Sequence, residues 1–248
     1  MIFTIARKEL KSLFSSPMGW VILAILQAVF GIYFFQGVDQ YFQSMSGLMR
    51  PEERVGVTEF VGKHVFSIAS FVMLFAVPLL SMRLISEERR QQTLPFLFSA
   101  PLSLTEIVLG KFFGLVTFLT IMILIMTTMI SSLNVWADLD FGYIFANALG
   151  LWLLVTSFSA LGLYMSSLTQ QPIVAGIISF VALFALLILD HFFAGDPTGI
   201  VTYLSLMRHF EPFSRGLLDS SDFAYFLLFI ATFLTLTVRR LDADRLRG

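Results

Sequence analysis

SEERRQQTLPFLFSAPLSLTEIVLGK, residues 86–111, is a mixed stretch set between two long apolar runs. It begins with Glu87, Glu88, Arg89 and Arg90, continues through Leu94, Phe96, Leu97 and Phe98 with Pro95 and Pro101 among them, and closes on Lys111. The runs on either side, residues 65–84 and 112–133, are each about 20 residues. At ~1.5 Å per residue that is roughly the 30 Å of a bilayer's hydrocarbon core. The charged start is expected to continue the preceding span beyond the membrane and to offer ionic contacts. The apolar side chains after it need a partner or the membrane surface to cover them. A rigid element on one side of a membrane is what a soluble motor needs in order to push on a membrane protein.

Composition makes the bilayer the solvent. Of 248 residues, 57% are hydrophobic and 13% charged, with a mean hydropathy of +0.84. A soluble domain carries about a quarter charged residues. The net charge of -1, without a basic block interleaved with aromatics, gives no footprint for nucleic acid. The absence of cysteine excludes disulfides, thiolate metal sites and thiol catalysis, and leaves the redox compartment open.

Working outward, residues 2–15 form an amphipathic helix. Ile2, Phe3, Ala6, Leu10, Leu13 and Phe14 share a sector of about 120°, Ile5 falls outside it, and Arg7, Lys8, Glu9 and Lys11 take the other face. Such a helix lies at the headgroup boundary. It is too charged for a cleavable signal. The predicted spans are residues 18–38, 65–84 (with a bend at Pro78), 112–133, 143–168, 173–189 and 223–238. Residues 39–63 are expected as an exposed loop. The fourth span is rich in Gly, Ala and Ser, which permit close helix approach. Residues 200–213 are too broken by Arg208, His209, Glu211 and Pro212 to span, so irregular backbone at the interface or lining a cavity is expected there. Asp222 is placed to cap the sixth span, which is short enough to continue into the charged tail. The fold class is therefore an all-α integral membrane protein, one domain over 1–248, with six spans, an interfacial helix and a coupling element between the second and third spans.

Lys and Arg orient it. With the N-terminus cytoplasmic, inside segments hold 11 of them and outside segments 5. By the positive-inside bias both termini and residues 86–111 are cytoplasmic. No internal repeat of the kind common in secondary transporters is visible.

Several chemistries lack their residues. GVTEFVGK (56–63) is not a phosphate-binding loop: five residues separate its glycines, and His64 stands where the Mg²⁺-binding hydroxyl belongs. His64, His191 and His209 lack metal-ligand spacing, and a His209–Glu211 pair is weak. Met122, Met126 and Met129 form a stripe that could pass Cu(I) or fill gaps in an apolar core. No carboxylate stands in mid-span for proton coupling. Arg208, Glu211 and Arg215 are candidate extracytoplasmic substrate or partner contacts, or a solvated loop with local ion pairs.

Three segments carry a family resemblance over nearly the whole chain: ARKELKSLFSSPMGW (6–20), MRLISEERRQQTLPFLFSAPLSLTEIVLGK (82–111) and FEPFSRGLLDSSDFAYF (210–226). The sequence resembles the type-2 ABC transporter permeases, and among them the gliding-motility-type permease, related to the permease of nitrous-oxide-reductase maturation. The resemblance implies a non-catalytic membrane subunit of the bacterial inner membrane. It would pair with a second permease, as homodimer or with a paralogue, and with two copies of a cytoplasmic ABC ATPase. That ATPase holds ATP and Mg²⁺; no cofactor is expected in this chain. An accessory membrane-anchored protein is a further implied partner. Glu87, Glu88, Arg89, Arg90, Thr93, Leu94, Phe98 and Pro101 would contact the ATPase, with Thr169, Gln170 and Gln171 as a lesser contact. The work would be export or force transmission; a membrane anchor for a surface or motility complex that moves nothing is the alternative. Two positions depart from the family pattern: Gln92, where glycine precedes the Thr-Leu pair, and Pro95, where glutamate follows it.

Overall fold

The computed structural model describes residues 1–44, 56–94, 102–193 and 205–247. Pro95, Phe98 and Pro101 lie outside them. The described residues are helical and contain no strand. In chain order the helices are α1 (Ile2–Ser15), α2 (Pro17–Gln43), α3 (Val57–Ser81), α4 (Ser86–Arg90), α5 (Leu104–Ser131), α6 (Phe141–Leu168), α7 (Pro172–Phe193), α8 (Leu206–Ser214) and α9 (Ser220–Arg247). Among the described residues five stretches are long and apolar enough to cross a membrane: Pro17–Gln43, Val57–Arg90, Leu104–Val135, Phe141–Leu168 and Ser220–Leu246. The apolar part of α7, Pro172–Ile188, is shorter.

The centre is α6, against which α3, α5, α7, α8 and α9 pack. Its small residues do what their size allows. A Cβ on Gly162 would stand 2.2 Å from Ser81 Oγ, and one on Gly150 would stand 2.4 Å from Phe213 Cβ. Only glycine lets α3 and α8 approach that far. The core around α6 includes Phe66, Phe118, Phe158, Met73 and Leu115, all fully buried. Met122 and Met126 are buried in it as well, with Met129 packed against it, so this stripe fills core space.

The spans are longer than hydropathy indicated. Residues 39–43 belong to α2 and residues 57–63 to α3, correcting the expected loop over 39–63. The reason is amphipathic: Val57, Val61 and Val65 are buried while Glu59 and Lys63, on the other face, are exposed. Residues 56–63 are thus almost wholly helical, not a loop. Helix α5 starts at Leu104 because Ser103 and Glu106 form a reciprocal capping box. Asp140 caps α6 by accepting from the Tyr143 N–H. Helix α9 continues into the charged tail.

Two expectations about residues 200–226 are corrected. Residues 206–214 are regular helix. One face of it, Phe210 and Phe213, is buried against α6, and Tyr143 Oη donates to the Ser214 carbonyl at 2.9 Å. Asp222 is not the cap of α9. Asp219 takes that contact, accepting from the Ser221 N–H at 3.0 Å, and this bond holds its carboxyl below the usual carboxylate range. Asp222 is buried instead, 2.6 Å from His209 Nδ1, whose ring stacks on Tyr225.

Candidate coupling site at the charged end of the bundle

Between α3 and α5 the chain leaves the bundle through a turn at 82–85, the short helix α4 and residues 91–94. What it meets there is the rest of the charged end. Lys111, on the third turn of α5, is 3% exposed at its side chain and donates to Glu9 Oε1 at 3.0 Å and to Glu88 Oε1 at 2.7 Å. Lys8 Nζ lies 3.7 and 3.9 Å from the same two oxygens. The cluster is two ammonium groups and two carboxylates, neutral overall. It ties α1, α4 and α5 together. Alongside it Arg89 pairs with Asp244 of α9, which Arg240 also approaches at 3.6 Å.

Lys111 is therefore buried within an ion cluster of the chain itself. Its burial follows from how α1 docks. A Cβ on Gly110 would fall 2.6 Å from Ile5 Cβ, and one on Gly114 would fall 2.7 Å from Glu9 Cβ. Gly110 and Gly114 form a G-x-x-x-G stripe that lets the α1 backbone lie on α5. Ile5, outside the apolar sector of α1, is the residue that seats on Gly110.

A second clasp joins α4 to α6. Ser166 Oγ donates to the Met82 carbonyl at 2.9 Å and accepts from the Ile85 and Ser86 N–H groups at 3.2 and 3.1 Å. One hydroxyl thus satisfies backbone groups freed where α3 ends. The turn at Thr169, Gln170 and Gln171 follows directly; Gln170 and Gln171 are exposed, and Thr169 Oγ1 accepts from the Gln171 N–H.

The exit from α4 is a Schellman motif: the Thr93 N–H donates to the Glu88 carbonyl at 2.9 Å and the Gln92 N–H to the Arg89 carbonyl at 3.2 Å. Gln92 carries the left-handed residue, φ 56°. That is the position where the family pattern has glycine. Helix α8 ends in the same motif, with Gly216 at φ 80°.

The candidate residues separate by exposure. Glu87 is half-buried, Arg90 is exposed, and Thr93 is half-buried with its hydroxyl on the Glu88 carbonyl. Glu88 and Arg89 are engaged inside the chain. Leu94 is buried, so its cover comes from this chain and not from a partner. At the opposite end Arg215 pairs with Glu211 one turn away, both exposed, and Arg208 is exposed. His209 turns to Asp222 and not to Glu211. Sequence reasoning missed Glu9, Asp244 and the Gly110–Gly114 stripe; only the last has a signal, its four-residue spacing.

A profile described as "ABC-2 family transporter protein" matches residues 3–244. The chain belongs to the ABC-2 transporter family. It is a multi-pass membrane protein and a membrane component of an ABC transporter, a class that works with an ABC ATPase. A search of curated proteins found no match.

Proposed function

We propose that this chain is the permease subunit that couples a separate cytoplasmic ABC ATPase to export or to force transmission across the bacterial inner membrane. Two copies of the ATPase, loaded with ATP and Mg²⁺, would act on a pair of permeases, the second being another copy or a paralogue. The finer affiliation proposed is the gliding-motility type, with an accessory membrane-anchored protein that could meet Arg208, Glu211 and Arg215. This chain itself performs no catalysis. Six spans are proposed, with α7 as the fifth and both termini cytoplasmic. In support, Ser166 and Asp244 both meet the α4 region, whereas Tyr143 meets α8. Helix α7 then has to carry the chain from one end of the bundle to the other, and its 22 residues reach about 33 Å.

The observation that carries the coupling role is the bracing of α4. Ion pairs to α1, α5 and α9 and the Ser166 clasp to α6 make a push on α4 a push on four helices. Glu87 and Arg90 are then the charges offered outward, and Thr169–Gln171 a lesser contact. Co-purification with a candidate ATPase tests this. Reversing Glu87 and Arg90 together should weaken the complex by about tenfold, roughly 1.4 kcal/mol, while the melting temperature of the chain stays within a few degrees. An unchanged complex and unchanged ATP turnover would reject the coupling role. A chain that neither binds nor stimulates any ATPase would fit the anchor reading instead.

A further inference from the structure

At the end of the bundle away from Lys111, α2 and α3 enclose a groove of about 720 Å³. Its floor is a stripe of α3 that runs from Glu59 through Lys63, His64 and Ile68 to Phe71, with Tyr33 of α2 opposite. From Glu59 to Phe71 is about 18 Å along the helix. The groove is polar at the helix start and apolar farther in, where Phe71 is 45% exposed. It therefore opens toward the lipid side.

The polar end is unusual in what its charges do. Glu59 and Lys63 stand at i and i+4 in the order that favours an ion pair, yet among the described residues neither takes part in one. Two opposite charges are held one turn apart, about 5–6 Å between Cβ atoms, with neither neutralised by the other. Beside them His64 Nε2 is buried without a hydrogen-bond partner among the described residues, its ring against Tyr33. A small turn of that ring toward a phosphate would satisfy it.

We propose that this groove binds a zwitterionic amphiphile: its phosphate at Lys63 and His64, its ammonium at Glu59, and its chain along Ile68 and Phe71. A purely anionic head would meet Glu59, and an uncharged head would leave both charges unanswered. The bilayer supplies lipids with phosphate and amine on a short linker, and an 18 Å groove with this polarity gradient suits such a head and part of one chain.

The test uses the full chain in nanodiscs of equimolar phosphatidylethanolamine and phosphatidylglycerol, with retained lipids identified by native mass spectrometry after extraction into detergent. The native chain should retain phosphatidylethanolamine over phosphatidylglycerol by about threefold or more, a modest affinity difference. Glu59→Gln should erase the preference. Lys63→Gln and the groove-filling Ile68→Trp should each lower retention of both lipids while melting stays near that of the native chain. Free phosphoethanolamine at millimolar concentration should not displace the lipid. Equal retention of the two lipids by the native chain overturns the proposal, as does unchanged retention in both Lys63→Gln and Ile68→Trp. Displacement by free phosphoethanolamine overturns the lipid assignment in favour of a soluble compound with the same head.

Discussion

Lys111 holds two carboxylates from distant parts of the chain, and its removal leaves them facing each other in a poorly solvated place. Breaking one partner out of a buried ion cluster costs about 3–5 kcal/mol. Lys111→Met keeps the packing of the stem, so the loss is electrostatic. The melting temperature of the detergent-solubilised chain should fall sharply, and Glu88→Gln added to Lys111→Met should recover part of the loss. If the single variant melts like the native chain, the cluster does not brace α4. Gln92 carries a smaller and opposite effect. A left-handed L-residue costs roughly 1–2 kcal/mol, and glycine returns about 0.5–1 kcal/mol of that through unfolded-state entropy. Gln92→Gly should therefore raise stability by about 0.5–1 kcal/mol, read as a higher melting temperature. The departure from the family pattern at residue 92 was visible in the sequence; its consequence was not, because φ is a property of the closed α4 exit. The burial of Lys111 was out of reach for a related reason: hydropathy does not show a lysine's counter-charges, and Glu9 is 102 residues away.

At the scale of elements, periodicity and hydropathy located the core of the spans, because long apolar runs need no knowledge of their partners. The ends were harder. Helices α2 and α3 extend into polar sequence because one face of the extension is buried, and a window average cannot see a face. Helix α8 was read as irregular since Arg208, Glu211 and Pro212 interrupt its hydropathy. Its mate is Gly150, where the glycine spacing of α6 gave no address. The docking of α1 is the element-level feature with the clearest test. Gly114→Leu places a branched side chain where even a Cβ would come within 2.7 Å of Glu9 Cβ and 3.0 Å of the Ala6 carbonyl. Overpacking of this kind costs typically about 1–3 kcal/mol. Here it should also part Glu9 from Lys111, so α1 amides should lose hydrogen-exchange protection while those of α6 keep theirs. Unchanged protection across α1 would mean that the glycine stripe is not its seat.

For the whole molecule, the charged ends of α1, α4, α5 and α9 and the end of α6 gather on one side, and α8 with the starts of α3 and α6 on the other. In the proposed orientation, which follows the Lys and Arg bias of the sequence, the ion-paired end faces the cytoplasm. The native chain contains no cysteine, so single introduced thiols report position without a background to remove. Val135 and Leu217, 81% and 61% exposed, should react as cysteines with a membrane-impermeant maleimide applied to intact spheroplasts. Arg90→Cys and Gln170→Cys should react only after the membrane is opened. The four sites together also test α7. Six spans require residues 170 and 217 on opposite sides, whereas labelling of both from the same side would mean that α7 does not cross. Labelling of 90 and 170 from outside, with 135 and 217 protected, would invert the molecule and place α4 beyond the reach of a cytoplasmic ATPase. The expected pattern leaves α4 and the Thr169–Gln171 turn on the only side where ATP is available, which is the geometric condition for the coupling role.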